Sequence, residues 1–257
     1  MHRDQHIPLG VRSRLRLFAA QCILKLATCD AYASLILPRM GRLSYALQDE
    51  CFQVRMHLLH DLLLYLMRDE LPTEFHAAIF LVAFDPEDEP RVQVASYTRR
   101  LQVLPPIVRH ERLERIIVRF LHLLAHHPDL NAESPQTLCS FARYLEFYLA
   151  CVACETNIGV LARFSACVRT YIDLSLSEPS VENSRPLYAM AELAQFLIQR
   201  LADNHGWTIY PVDEEAPCPT DILRSTGTVA RSVLDGEVWE LLQQQPRRHR
   251  DKKTKVA

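Results

Sequence analysis

An Asp-x5-Arg unit occurs twice in this chain, as Asp49–Arg55 and, 36 residues later, as Asp85–Arg91. Each Asp stands where a helix is expected to begin. Each Arg lies one to two turns in, beside a valine (Val54 and Val92). A short carboxylate at a helix start satisfies backbone N–H groups that have no intrahelical partner. A guanidinium can grip the carboxylate of an adjoining unit through two parallel hydrogen bonds. Helix pairs repeating every ~40 residues bury their apolar faces only by stacking on their neighbours. The pattern therefore predicts an α-solenoid with Asp49, Arg55, Asp85 and Arg91 as a structural ladder. Chains of this kind usually hold partners and do not catalyse.

Composition agrees with a helical reading. Of the 257 residues, 49% are hydrophobic and only six are Gly. Gly-poor, Leu- and Ala-rich sequence favours helix. The 15 prolines fall mostly between apolar runs, where they start or separate helices. The net charge of −2 conceals an asymmetry: residues 246–257 hold six Lys/Arg against one acid, so residues 1–245 carry −7. Only the tail has the basic density that suits nuclear import or a weak contact with nucleic acid, through Arg247, Arg248, Arg250, Lys252, Lys253 and Lys255. Neither a secretory signal nor a long uncharged apolar span is present, and most of the eight cysteines fall in apolar helical runs. The expectation is a reduced, intracellular protein with no membrane partner.

Helical spacing predicts elements over Val11–Ala27, from Ala31 to Pro38, and over Arg39–Leu47 and Glu50–Met67. Others are expected over Thr73–Phe84, from Pro90 to about Val103, over Ile107–Ala125, from Pro135 to about Ala153, and over Asn157–Leu174. Pro186 opens the last strong helix, which Gly206 stops. On the Glu50–Met67 helix, Val54, Leu58, Leu59, Leu62, Leu63 and Leu66 form one side. Arg55 falls on that apolar side, where a charge requires a partner. On Ile107–Ala125, Glu111, Arg115 and Arg119 form the outer face. No β-strand is expected. Residues 11–206 read as the repeat region, 207–245 as a Pro-rich acidic segment with a weak helix, and 246–257 as a disordered basic tail.

Three patterns could suggest chemistry, and each has a plainer reading. His60–Asp61 matches the dipeptide of all-α HD metal phosphohydrolases, but it lies on the polar stripe of an amphipathic helix. His122 and His126 have the i,i+4 spacing of metal ligands. They close a helix, and they read as solvated or capping histidines. Cys151-x-x-Cys154 lacks a second pair or a nearby His to complete a tetrad and reads as buried thiols. GxSxG, Walker A, GxGxxG and HExxH are all absent. No catalytic, cofactor or metal residue is assigned.

The segments RLRLFAAQCILKLA (14–27), DECFQVR (49–55), LPTEFHAAIFLVAFDPEDEPR (71–91), VRFLHLLAHHPDL (118–130) and LYAMAELAQFLIQRL (187–201) occur in an order that resembles the C-terminal region of the precocious-dissociation-of-sisters family. The resemblance covers roughly residues 11–202. It implies an all-α, HEAT-type solenoid, a superhelix of antiparallel helix pairs. It further implies a non-enzymatic, cofactor-free regulator that maintains and releases sister-chromatid cohesion on nuclear chromatin. The partners it implies are the cohesin complex, through its kleisin subunit, and associated regulators. Members of that family are several times longer, so the chain is expected to be a C-terminal fragment, a shortened gene model or a separate small paralogue. A general HEAT or armadillo adaptor and an HD-type hydrolase are the alternatives.

Overall fold

Prolines stand at several helix starts in the computed structural model, which describes residues 8–244. Pro8 precedes α1 (Leu9–Leu26). It is followed by α2 (Asp30–Ile36), α3 (Met40–Ser44) and α4 (Phe52–Met67). Residues Thr73–Phe84 form consecutive 3₁₀ turns, then come α5 (Asp88–Gln102) and the single turn α6 (Pro106–Arg109). After a π turn at His110–Glu114 the chain enters α7 (Ile117–Ala125). Ser134 accepts the N–H of Thr137 and Pro135 takes the first helical position, which starts α8 (Pro135–Val152). The remaining elements are α9 (Ile158–Cys167), β1 (Tyr171–Asp173), α10 (Arg185–His205), β2 (Leu223–Ser225) and α11 (Gly236–Gln244).

The helices pack into layers that join elements close in the chain and elements several helices apart. α1 packs on α4, and α4 on the 73–84 segment. That segment in turn meets α5, α7 and α8, and α10 packs on α7, α8 and α9. Phe80, Phe120 and Tyr148 mark the centre, with ring centroids 4.9–5.7 Å apart. Tyr148 is fully enclosed, yet its hydroxyl donates to Leu113 O at 2.6 Å, so no polar atom is stranded there. The packed face of α1 is Ala20 and Leu24. Leu15 and Phe18, on its other side, are 56% and 66% exposed.

Four expectations need correction. Thr73–Phe84 is helical but 3₁₀, with nine consecutive residues buried from Phe75 to Ala83. A segment apolar on every side has no amphipathic stripe to fix its period. The 3₁₀ rise of ~2.0 Å per residue also spans more distance than the ~1.5 Å of an α-helix. The expected Ile107–Ala125 helix is interrupted by the π turn, which carries Glu114 inward to 3% exposure. The expected Asn157–Leu174 helix ends at Cys167, and the chain then enters β1.

The absence of strands was also wrong. β1 and β2 pair antiparallel, with Tyr171 opposite Ser225 and Asp173 opposite Leu223. A three-residue strand is too short to show alternation, and its partner lies about fifty residues away in sequence.

The segment after α10 folds back across the body. Gly206 adopts φ 68°, and Trp207 N–H donates to Ala202 O at 2.9 Å while Gly206 N–H reaches Asp203 O at 3.4 Å. This is a Schellman ending, which a residue without Cβ adopts without strain. The returning chain passes so close to α9 that a Cβ on Gly159 would lie 2.6 Å from Tyr210 O. Ile222, Leu223, Leu234, Val238 and Leu242 are buried, and α11 packs on α8. The basic tail at 246–257 lies outside the described residues.

Candidate functional site

The ladder residues come together at one end of the helical layers. Asp49 and Asp85 each stand two residues before the N-cap of the following helix, Cys51 of α4 and Glu87 of α5. Their Oδ1 atoms accept the N–H of Cys51 and Glu87, both at 2.9 Å. The caps themselves are therefore other residues, and the aspartates close local turns. Arg55 Nε and Nη2 donate to Asp85 at 2.6 and 3.1 Å, and its Nη1 donates to Asp49 O at 2.8 Å. One guanidinium thus binds the backbone of its own unit and the carboxylate of the next. Both side chains are enclosed, at 8% and 1% exposure.

Arg91 donates to Asp85 O as Arg55 does to Asp49 O, and its second arm goes to Asp88 of its own helix. Upstream, Arg16 of α1 grips Asp49 through Nε and Nη2 at 2.6 and 2.8 Å, and this bond holds the carboxyl below its ordinary pKa. Arg16 was missed in the sequence. Its signal is the Arg-to-Asp interval: 33 residues from Arg16 to Asp49 and 30 from Arg55 to Asp85.

A cavity of about 540 Å³ opens beside these pairs, lined by Asp49, Arg55, Asp85, Gln48, His127 and Tyr144, among others. Gln48 Nε2 donates to Leu81 O at 3.1 Å and to the Tyr144 hydroxyl at 2.5 Å. His127 Nδ1 accepts the N–H of Asp129, so the proton sits on Nε2, which donates to Gln48 Oε1 at 2.6 Å. Burial lowers the pKa of His127 and pushes Tyr144 up to about 12. Both His127 nitrogens are committed, so the ring is not poised as a general base. Glu50 and Asp129 are exposed at the cavity mouth. The cavity offers a fixed, hydrogen-bonding floor beneath an acidic rim.

The motifs set aside in the sequence fall elsewhere. On α4, His60 is exposed and Asp61 accepts from Gln21 of α1 at 2.7 Å. Cys151 is buried in α8, where its thiol is pushed up to about 11. Cys154 lies beyond the end of that helix, 3.2 Å from Thr156 Oγ1. His122 is not solvated: it is 7% exposed and, like His126, faces Asp173.

Arg119, expected on an outer face, is 2% exposed and pairs with Asp221 at 2.7 and 2.8 Å. The acids of the returning segment supply that cover. Glu214 meets His110 at 2.8 Å. Glu192 of α10 in turn accepts the N–H groups of Val233 and Leu234, each at 3.1 Å.

These features define the class: an all-α helical-repeat protein of HEAT type, in which the enclosed Arg55–Asp85 pair joins α4 to the turn before α5. The family model described as "Sister chromatid cohesion protein PDS5 protein" matches residues 1–224, and the chain belongs to that family. It is 27% identical over 221 residues to "Sister chromatid cohesion protein pds5" of Schizosaccharomyces pombe, covering 86% of this chain and 18% of the relative. Its identity to the Saccharomyces cerevisiae protein of the same description is 24% over 255 residues, covering 90% and 20%. A Danio rerio homolog A is 36% identical over 138 residues, covering 49% and 10%. The chain thus spans about a fifth of the length of the two yeast relatives.

Proposed function

We propose that this chain is a non-enzymatic scaffold that acts in sister-chromatid cohesion. In this reading it binds the cohesin complex, through the kleisin subunit and associated regulators, on nuclear chromatin. The observation that carries it is the family match across residues 1–224, together with relatives named for cohesion. The geometry is compatible: the charged residues beside the cavity hold helices together, and His127 is tied up in hydrogen bonds.

Epitope-tagged full chain, recovered from mitotic cell extract, is expected to bring down the kleisin. Loss of the gene is expected to raise the fraction of prematurely separated sisters. Normal cohesion without the gene, together with no kleisin recovery, would overturn the proposal. Recovery of other proteins in place of cohesin would favour a general adaptor.

The same reading gives the basic tail, Arg247 to Lys255, to nuclear import or a weak DNA contact. Deleting residues 246–257 is expected to leave the melting temperature unchanged while reducing nuclear entry or DNA binding at low salt. If both persist in the truncated protein, the tail has neither role.

A further inference from the structure

The end of α7 meets the end of β1 in a cluster that the ladder and its cavity do not use. His122 and His126 are one helical turn apart and lie on one face. Asp173 faces both. Its Oδ1 is 3.3 Å from His122 Nε2, and its Oδ2 is 2.6 Å from His126 Nε2. The three ligand atoms lie within 4.8 Å of one another. The carboxylate is held from behind by the Ser175 N–H, which donates to Oδ1 at 2.8 Å. Its backbone is held by Asp173 N–H donating to Ser184 Oγ at 3.0 Å. Ser175 Oγ lies 3.2 Å from His122 Nε2. The His122 and Asp173 side chains are enclosed at 8% and 3% exposure. His126 is 30% exposed and opens the cluster to solvent.

We propose that His122, His126 and Asp173 form a zinc-binding site. Two imidazole nitrogens and one carboxylate oxygen are a zinc donor set, leaving a fourth position for water or the Ser175 hydroxyl. Ligands ~2.0–2.2 Å from a tetrahedral ion stand about 3.3–3.5 Å from each other. His122 and Asp173 already have that separation. His126, at the open edge, would draw back from its present 2.6 Å hydrogen bond to complete the set. Each neutral ring would bind through Nε2 with its single proton on Nδ1, so binding requires no net proton loss from the histidines. The Ser175 N–H is the outer contact that orients the carboxylate, and Ser184 anchors the Asp173 backbone. The ion ties α7 to β1, and because β1 carries β2 it also fixes the returning segment to the body.

The test uses the full chain, stripped with chelator and titrated with zinc chloride against a chromophoric competitor. One zinc per chain is expected, with His126→Ala removing it and His60→Ala, an exposed position on α4, leaving it. Zinc at a hundredfold excess over its Kd is expected to raise the melting temperature by roughly 5–10 °C in the unaltered chain. It should leave that of His126→Ala unchanged. A measurement that needs no variant is protection of His126 from diethylpyrocarbonate by zinc. Absence of stoichiometric zinc, or binding that leaves His126 unprotected, would overturn the assignment. So would binding that His60→Ala removes.

Discussion

Arg55 shows what one charge on an apolar helix face requires. Its partner Asp85 is 1% exposed at the side chain, so Arg55→Ala strands a buried carboxylate. From the sequence alone, loss of polar partners sets the cost at about 1–3 kcal/mol. The enclosed geometry raises it to about 3–5 kcal/mol. Arg55→Lys cannot rebuild the two-pronged grip and is expected to recover only part. Urea denaturation midpoints check both, and an unchanged midpoint in Arg55→Ala would refute the role.

His76 supplies a pH dependence. Its Nδ1–H donates to Thr73 O at 2.7 Å, and Nε2 accepts from the Tyr97 hydroxyl at 3.0 Å. Burial depresses its pKa from 6.5 to about 4. Between those values the unfolded chain binds a proton that the native state refuses. Stability therefore falls as pH drops from above 6.5 toward 4, by up to about 3 kcal/mol, with no further loss from this group below pH 4. His76→Asn keeps a donor toward Thr73 and is expected to flatten this slope. An unchanged slope in denaturation curves across that range would exclude His76 as its source. The Arg55 charge was legible because it broke an apolar pattern. His76 was not, because a histidine inside TEFHAAIFLVAF announces neither its burial nor its Tyr97 partner.

Among the elements, α9 and α10 decide how the returning segment docks. Gly159→Ala places a methyl group 2.6 Å from Tyr210 O, against backbone that cannot rotate away. It is expected to cost about 1–3 kcal/mol and to expose residues 207–215 to protease. Glu192→Ala removes the acceptor for Ser232 Oγ and for the N–H groups of Val233 and Leu234. Limited proteolysis should then cut near residues 226–236 while the α1–α8 layers stay intact. Equal resistance in both variants would show that docking rests on apolar burial alone. Gly206 and Pro186 were readable as helix ends because capping is local chemistry. The inward faces of Arg119 and Glu114 were not, because both depend on a π turn and on Asp221 about a hundred residues downstream.

For the whole molecule, the exposed side of α1 matters most. Leu9, Leu15, Phe18 and, on α2, Leu35 are 72%, 56%, 66% and 61% exposed. Apolar area left in water costs roughly 25 cal/mol per Å², and large exposed apolar side chains favour association. The 257-residue chain is expected to self-associate as its concentration rises. Charged substitutions at Leu15 and Phe18 are expected to restore a monomer, because neither residue belongs to the buried face of α1. Light scattering checks this; a stable monomer over a wide concentration range would count against a sticky face. No helix of the described residues is long and apolar enough to cross a membrane.

What the sequence determined by itself was everything carried by short-range pattern. It set the all-α class, the helix positions framed by Pro135, Pro186 and Gly206, and the placement of Arg55 on a face that demanded a carboxylate. It also carried the ordered segments by which the chain resembles its family. What only the tertiary structure decided was everything requiring two distant segments at once. Arg16 meets Asp49, Arg119 meets Asp221, β1 finds β2, and Asp173 joins two histidines whose spacing reads as solvated or capping groups. The physical reason is range. Capping and helical periodicity act over a few residues, so their sequence cost and benefit are both visible locally. A buried ion pair or a strand pairing depends on a partner 30 to 100 residues away, whose position only the packing of the intervening helices can set.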